Sequence, residues 1–217
     1  EMQRSLVGSE MCIRDRSMGY IIDMYQGKYK ADRNLFKFAL FVSYFPQILQ
    51  GPIGRYNRLA HQFFEKHEFD LVRIQHGLQL MAWGFFKKMV LADRAALIVE
   101  EVFRYVHLYH GFTVLFGVLA YTLQLYADFS GGMDIVMGAS EMFGVKLDQN
   151  FKQPFFSNSI SDFWHRWHIT LGTWMKDYIF YPFSLSKAMN KFGKFTKKVF
   201  GNTVGRCLPI CLSLIHI

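Results

Sequence analysis

Tyr105 to Ala127 reads YVHLYHGFTVLFGVLAYTLQLYA, 23 consecutive residues without Lys, Arg, Asp or Glu. At ~1.5 Å of rise per residue, a helix of that length covers the ~30 Å hydrocarbon core of a bilayer. The run is therefore predicted to cross a membrane. The whole chain leans the same way, with 51% hydrophobic residues and 23 Phe among 217, which excludes a disordered or collagen-like polymer. Three cysteines, Cys12, Cys207 and Cys211, are too few to staple a small secreted scaffold. The charge balance of 25 Lys and Arg against 17 Asp and Glu gives +8. That excess suits an anionic membrane face, a nucleic acid or an acidic polymer equally.

Working outward from the apolar run, Phe38 to Gly54 (FALFVSYFPQILQGPIG) is uncharged but interrupted by Pro46 and closed by Gly51-Pro52. A proline lacks a backbone donor and clashes with the preceding turn, so this segment is predicted to kink or turn back inside the membrane. Gly77 to Val99 is apolar at both ends, yet Lys87-Lys88 and Asp93-Arg94 stand in its middle; those charges must snorkel, pair or face protein. Phe129 to Val145 carries Gly131, Gly132, Gly138, Ala139 and Ser140, small residues that let helices approach closely in a bilayer. It is expected to be a buried helix with Asp134 and Glu141 turned inward. After Phe183 come Lys187, Lys191, Lys194, Lys197, Lys198 and Arg206 with no acid between Ser184 and Arg206, which places that stretch on the cytoplasmic side by the positive-inside tendency. Nucleic-acid binding is disfavoured because the aromatics sit in apolar runs and are not interleaved with these lysines. A soluble basic binding module is the alternative class. No internal repeat is visible.

The two ends carry a different signal. Met11-Cys12-Ile13-Arg14-Asp15-Arg16 can be encoded by ATGTGTATAAGAGACAG, and the reverse complement of that string encodes Leu212-Ser213-Leu214-Ile215-His216-Ile217. Both ends thus fit one inverted DNA element, similar to the transposase adapter used to fragment DNA for sequencing. Residues 1–16 and 212–217 are accordingly expected to be adapter-derived, and 17–211 to be an internal fragment of a membrane domain. The leading residues carry three charges of each sign, so the +8 is unaffected.

The richest chemistry lies in Asn158 to Phe183, NSISDFWHRWHITLGTWMKDYIFYPF. Ser159 followed by Asp162 signals a helix start, with side-chain oxygens capping free N–H groups at the positive end of the dipole. One helix from about Ser161 to about Tyr178 is predicted, carrying Trp164, Trp167, His168, Leu171 and Met175 on one broad face, His165 beside His168, and Asp162 four residues before Arg166 for an ion pair. Three chemistries fit two histidines beside two tryptophans. As metal ligands they lack the further partners a zinc site requires, and there is no His-Glu-x-x-His pattern. As interfacial aromatics they would be hydrogen-bonded structure. As a general base, an imidazole with a pKa near neutrality could take a proton from a hydroxyl.

The string SISDFWHRWHITLGTWMKDYIFYPF resembles the signature region of the membrane-bound O-acyltransferase family, in the bacterial branch concerned with alginate O-acetylation. Upstream pieces agree in order: Tyr20 to Tyr25 with Gly27-Lys28, Tyr44-Phe45-Pro46-Gln47 with Gly51-Pro52-Ile53 and Arg55-Tyr56, Gly84 to Lys88 leading to Ala92-Asp93, and Tyr126 to Gly131. The resemblance implies an all-α, multi-pass transmembrane enzyme of the cell membrane with broken or re-entrant helices. It implies transfer of an acyl group, usually acetyl, from a cytoplasmic thioester (acetyl-coenzyme A or an acyl carrier) to a hydroxyl of an extracytoplasmic polysaccharide. Membrane lipid and a periplasmic or extracellular acyl-transfer partner are then expected, with no bound cofactor and no metal. His168, in Arg166-Trp167-His168, matches one family histidine and is the catalytic candidate; Trp164, His165, Arg166, Trp167 and Asp177 are candidates for support or for lining a passage, with Trp174 as a further wall. Arg166 and the later lysines could meet donor phosphates. The second family histidine, expected in a Trp-His-Gly context on a later helix and usually taken as the invariant one, does not occur in these 217 residues, so the resemblance implies that the fragment lacks its principal catalytic residue and is inactive by itself. Two rivals share the resemblance: D-alanyl transfer from a carrier to teichoic acid, and a non-enzymatic subunit of a polysaccharide-modification complex.

Overall fold

The computed structural model describes residues 2–187, 189–192 and 194–195. Lys197, Lys198, Arg206, Cys207, Cys211 and the 212–217 tail, to which the readings above assign a cytoplasmic location or an adapter origin, lie outside the described residues. The described part is helical and falls into two compact units that divide between Phe151 and Lys152.

In the first unit, α1 (Met2–Tyr25) is followed by α2 (Leu35–Ser43) and α3 (Phe45–Leu49). Asn34 caps α2, its side chain accepting from Phe36 N and Lys37 N. The break at Tyr44 occurs where Pro46 enters the first turn of α3, a position that tolerates a missing N–H. The predicted kink is therefore present. Gln47, 1% exposed, ties the following loop back by donating from Nε2 to Pro52 O. Short turns follow, α4 (Tyr56–Leu59) and a 3-10 turn (Ala60–Phe63).

The largest packing surface is an antiparallel pair. Its first member runs as α5 (Leu71–Phe85), a π-helical segment (Phe86–Ala92) and α6 (Asp93–Arg104); its second is α7 (Phe112–Met142). Asp70 starts the first by accepting from Val72 N and Arg73 N. Two glycine rungs a heptad apart hold the pair close: Gly77 faces Gly138 and Gly84 faces Gly131. A Cβ on Gly84 would stand 2.6 Å from Gly131 O, and one on Gly138 would stand 2.5 Å from Gly77 O. Beyond them the buried positions stay small, with Ala92 and Ala95 on one helix and Ala120 and Ala127 on the other.

The π-helical segment solves the problem posed by the adjacent lysines. Successive residues of an α-helix point about 100° apart, and the wider π turn reduces that divergence. Both lysines reach α7: Lys87 Nζ lies 2.6 Å from Asp134 Oδ2 and 3.1 Å from Ser130 Oγ, and Lys88 Nζ lies 2.5 Å from Asp128 Oδ1. The expected inward turn of Asp134 is explained by this pairing, and Glu141 likewise meets His76 Nδ1 at 2.9 Å.

Two predicted boundaries change. The uncharged run does not form a helix from Tyr105; residues 105–110 turn, Gly111 adopts φ +58, and the helix begins at Phe112. Nor does it stop near Ala127, since Phe129 onward continues the same helix to Met142. The Asp128 and Gly131-Gly132 cluster leaves it unbroken: Lys88 pairs with Asp128, Gly84 packs at Gly131, and the Gln50 side chain fills the space at Gly132. At 31 residues, α7 is about 46 Å long, enough to cross a hydrocarbon core, and it is the one helix among the described residues long and apolar enough to do so. Its face away from the partner exposes Leu115, Phe116, Leu119 and Leu123 by about half each, an apolar surface suited to lipid.

The second unit opens with a 3-10 turn (Pro154–Phe156), then α8 (Ile160–Arg166), α9 (Ile169–Met175), a π-helical segment (Lys176–Phe180) and α10 (Tyr181–Ser184). The single helix predicted from Ser161 to Tyr178 is broken at Trp167-His168.

Two glycines should respond oppositely to alanine. Gly84→Ala forces backbone apart and is expected to lower stability by about 1–3 kcal/mol, whereas Gly172→Ala in α9, with nothing within 4 Å of its Cβ, is expected to raise it by up to about 1 kcal/mol. Thermal unfolding in detergent, followed by circular dichroism, reads both signs. The same assay tests the ion pair, whose side chains are 12% and 21% exposed. Lys87→Met leaves Asp134 uncompensated and is expected to cost about 3 kcal/mol, most of it recovered in Lys87→Met with Asp134→Leu.

Candidate functional site

The signature segment builds its site around a corner. Ser159 Oγ accepts from Asp162 N at 3.1 Å, so α8 starts as its sequence indicates. Asp162 Oδ1 then accepts from Arg166 Nε at 2.9 Å across one turn. That hydrogen bond, followed by one from Asn158 N, holds the Asp162 carboxyl below its ordinary pKa. Lys152 N donates to Arg166 O, pinning the end of α8 to the start of the unit.

At Trp167 the backbone becomes extended (φ −101, ψ 127), and His168 takes the left-handed conformation (φ 46, ψ 52) immediately before α9. Histidine is among the non-glycine residues that tolerate this region, though at some energetic cost. Gly172 N donates to His168 O at 3.0 Å, so the new helix grows directly from that carbonyl. His168 is half-buried, and burial lowers its imidazole pKa from the ordinary 6.5. A neutral ring at physiological pH has a lone pair available for a proton.

The other candidates distribute around this corner. Trp167 stacks on Phe163 with ring centroids 5.6 Å apart and planes 16° apart, and Phe155 lies 6.4 Å from Trp167. Trp164 is 61% exposed and meets Phe163 edge-on. His165 is also exposed, its Nδ1 2.6 Å from Ser161 O. The break separates it from His168, so the two histidines do not share a continuous helical face. Asp177 stands half-buried in the π-helical segment, and Trp174 packs on Tyr178 at 5.5 Å with its indole N–H unpartnered among the described residues. Phe155 and Phe163 were not singled out from the sequence; the i, i+4 spacing of Phe163 and Trp167 was the available signal. The lysines at 187, 191 and 194 are exposed.

Chemically, this is a neutral imidazole at a strained backbone corner, beside a stacked aromatic wall and an internally satisfied Asp–Arg pair. The chain is 44% identical over 165 residues to the "Probable alginate O-acetylase AlgI" of Pseudomonas syringae, covering 76% of this chain and 31% of that protein. It is 38% identical over 147 residues to the peptidoglycan O-acetyltransferase of Helicobacter pylori (67% and 28% covered). Against the teichoic acid D-alanyltransferase of Bacillus subtilis the figures are 31% over 169 residues, with 75% and 42% covered. The chain spans about a third of the length of the first of these relatives. The membrane-bound O-acyltransferase family matches residues 28–196, which include both the paired helices and the His168 corner, and the chain belongs to that family of membrane proteins.

Proposed function

We propose that residues 28–196 form part of a multi-pass O-acyltransferase of the cell membrane. It moves an acyl group, acetyl foremost, from a cytoplasmic thioester to a hydroxyl of an extracytoplasmic polysaccharide such as alginate. The donor is acetyl-coenzyme A or an acyl-carrier thioester, and a periplasmic or extracellular transfer partner receives or relays the group. The observation that carries the reading is the half-buried His168, kept neutral by burial at the corner between two helices. The 44% identity to a probable alginate O-acetylase supports acetyl as the group.

A thioester is already activated, so the protein has to align donor and acceptor, take one proton and exclude water. In this reaction His168 removes the hydroxyl proton as the oxygen attacks the thioester carbonyl. The tetrahedral intermediate collapses with loss of the thiolate, which takes the proton from the imidazolium. Trp164 and Trp167 line the approach, Arg166 and Asp162 hold the end of α8 in place, and Asp177 supports the segment after α9. Helices α8 and α9 have seven residues each, about 10 Å, so neither crosses a bilayer by itself. The exposed Lys187, Lys191 and Lys194 suit the cytoplasmic face.

The reading is tested in a full-length acyltransferase carrying this segment. Asparagine tolerates the left-handed backbone, so His168→Asn removes the base without adding strain. It is expected to lower acetyl transfer from labelled acetyl-coenzyme A by about 10²–10⁴-fold with an unchanged melting temperature. Undiminished transfer would favour a non-enzymatic or purely structural role. Transfer that requires a D-alanyl carrier protein would favour the teichoic acid reading, which the 31% identity to a D-alanyltransferase supports less strongly.

The depressed pKa makes a second prediction. Activity requires neutral His168 and is lost as pH falls through its folded-state value, so the acid limb of kcat/KM should lie below 6.5. Unfolding releases the ring to its ordinary value and takes up a proton, so stability should also fall as the pH drops below 6.5. An acid limb at or above 6.5 would remove His168 as the base.

A further inference from the structure

The first unit contains a cavity of about 360 Å³ between α5, α7 and the extended strap at 145–151. That volume is at the small-molecule end of the ~300–1,000 Å³ range of ligand pockets. We propose that this cavity binds a neutral, polyhydroxylated ligand, a sugar residue, recognised by the His76–Glu141 pair. The assignment does not depend on acyl transfer at His168.

Its walls are fixed from behind. Gln62 copies a backbone pairing to the strap, its Oε1 accepting from Lys146 N at 2.7 Å and its Nε2 donating to Lys146 O at 3.2 Å. Arg58 adds an ion pair to Asp148 at 3.4 Å. The opposite wall is set by the glycine rungs, since Gly77 follows His76 directly and Gly138 lies between Asp134 and Glu141 on α7.

The chemistry of the lining selects among ligands. Asp134 and Glu141 stand seven residues apart on α7, and both line the cavity. Each already has a cationic or hydrogen-bonding partner: Lys87 for Asp134 at 2.6 Å and His76 for Glu141 at 2.9 Å. A free cation would have to displace those partners. An anionic ligand would face two carboxylates at close range, with Lys146 as the one lysine of the lining to offset them. A neutral ligand meets neither obstacle. Glu141 Oε2 accepts from His76 Nδ1, which leaves the ring's Nε2 for a hydroxyl, as an acceptor when the ring is neutral and as a donor when it is charged. The carboxylates of Asp134 and Glu141 thus stand with His76, Lys146 and the buried Asn150 around one space that Phe151 also lines. Hydroxyl groups both donate and accept, and the C–H face of a sugar ring is apolar; that combination matches this lining.

The chain itself, in lauryldimethylamine oxide micelles that carry no sugar headgroup, tests the assignment by saturation-transfer NMR titration with maltose, glucuronate and pantetheine. Maltose is expected to bind, and to bind at least tenfold more weakly to Glu141→Gln and to His76→Ala. The His76 side chain is 63% exposed, so its truncation leaves the fold intact, which circular dichroism verifies. Arg104→Ala, which breaks the exposed pair with Glu100 on α6, should bind maltose as the parent does. Absence of maltose transfer, equal binding by His76→Ala, or tighter binding of glucuronate or pantetheine would each overturn the proposal.

Discussion

Lysine in the interior of an apolar helix obliges that helix to find a carboxylate, because an ammonium left uncompensated in a low-dielectric surrounding is among the costliest groups a fold can carry. Lys87 imposes that obligation and α7 answers it with Asp134, while the half-exposed Lys88 pairs with Asp128 on the other side of Gly131. Ion pairs alone would leave the helices free to slide by a turn. The glycine rungs remove that freedom, because Gly84 and Gly131 admit contact only where each meets the other's carbonyl. Charge thus selects the partner and sterics select the register. The fixed register brings His76 opposite Glu141 and gives the cavity its shape.

The sequence exposes this arrangement only in part, and the division follows the range of the forces. Local signals are readable: Pro46 breaks a helix where a missing N–H is tolerated, Ser159 caps α8, and Asp162 reaches Arg166 one turn on. The need for Lys87 to find a partner is readable too. What is not readable is how the partner changes the reading of its own segment. Asp128 and Gly131-Gly132 look like an interruption between two helices, yet α7 runs through them because Lys88 completes the charge of Asp128 while Gly84 and Gln50 occupy the space beside the two glycines. The start of α7 is mistaken for the converse reason. Residues 105–110 lack charge, but Gly111 at positive φ turns the chain, and hydropathy does not register backbone conformation.

His168 is a different kind of failure. Nothing between Trp164 and Leu171 is a proline or glycine, and the spacing of aromatic and apolar residues reads as one helix. The structure breaks it at a residue placed in the left-handed region, where local preference is overruled. Such overrides have to be sustained by surrounding contacts, here the Lys152-to-Arg166 backbone bond on one side and the growth of α9 from the His168 carbonyl on the other. They concentrate where a side chain must be held in one orientation. The family match covers this corner as well as the paired helices, so the matched region includes the position that sequence periodicity misread.

The two imidazoles discussed above illustrate how environment divides roles between chemically identical groups. A carboxylate at hydrogen-bond distance, as at His76, engages one ring nitrogen and so holds the other in a fixed direction for recognising a ligand. Burial, the dominant influence on His168, disfavours the charged ring and keeps it ready to take a proton. The first environment favours a fixed contact and the second favours transfer. A proton carrier in transit must hold its charge only briefly, so a surrounding that resists charge returns the proton to the leaving thiolate. On that argument the exposed, carboxylate-bound histidine recognises and the half-buried one reacts, and exchanging their surroundings would impair both tasks without changing a single imidazole.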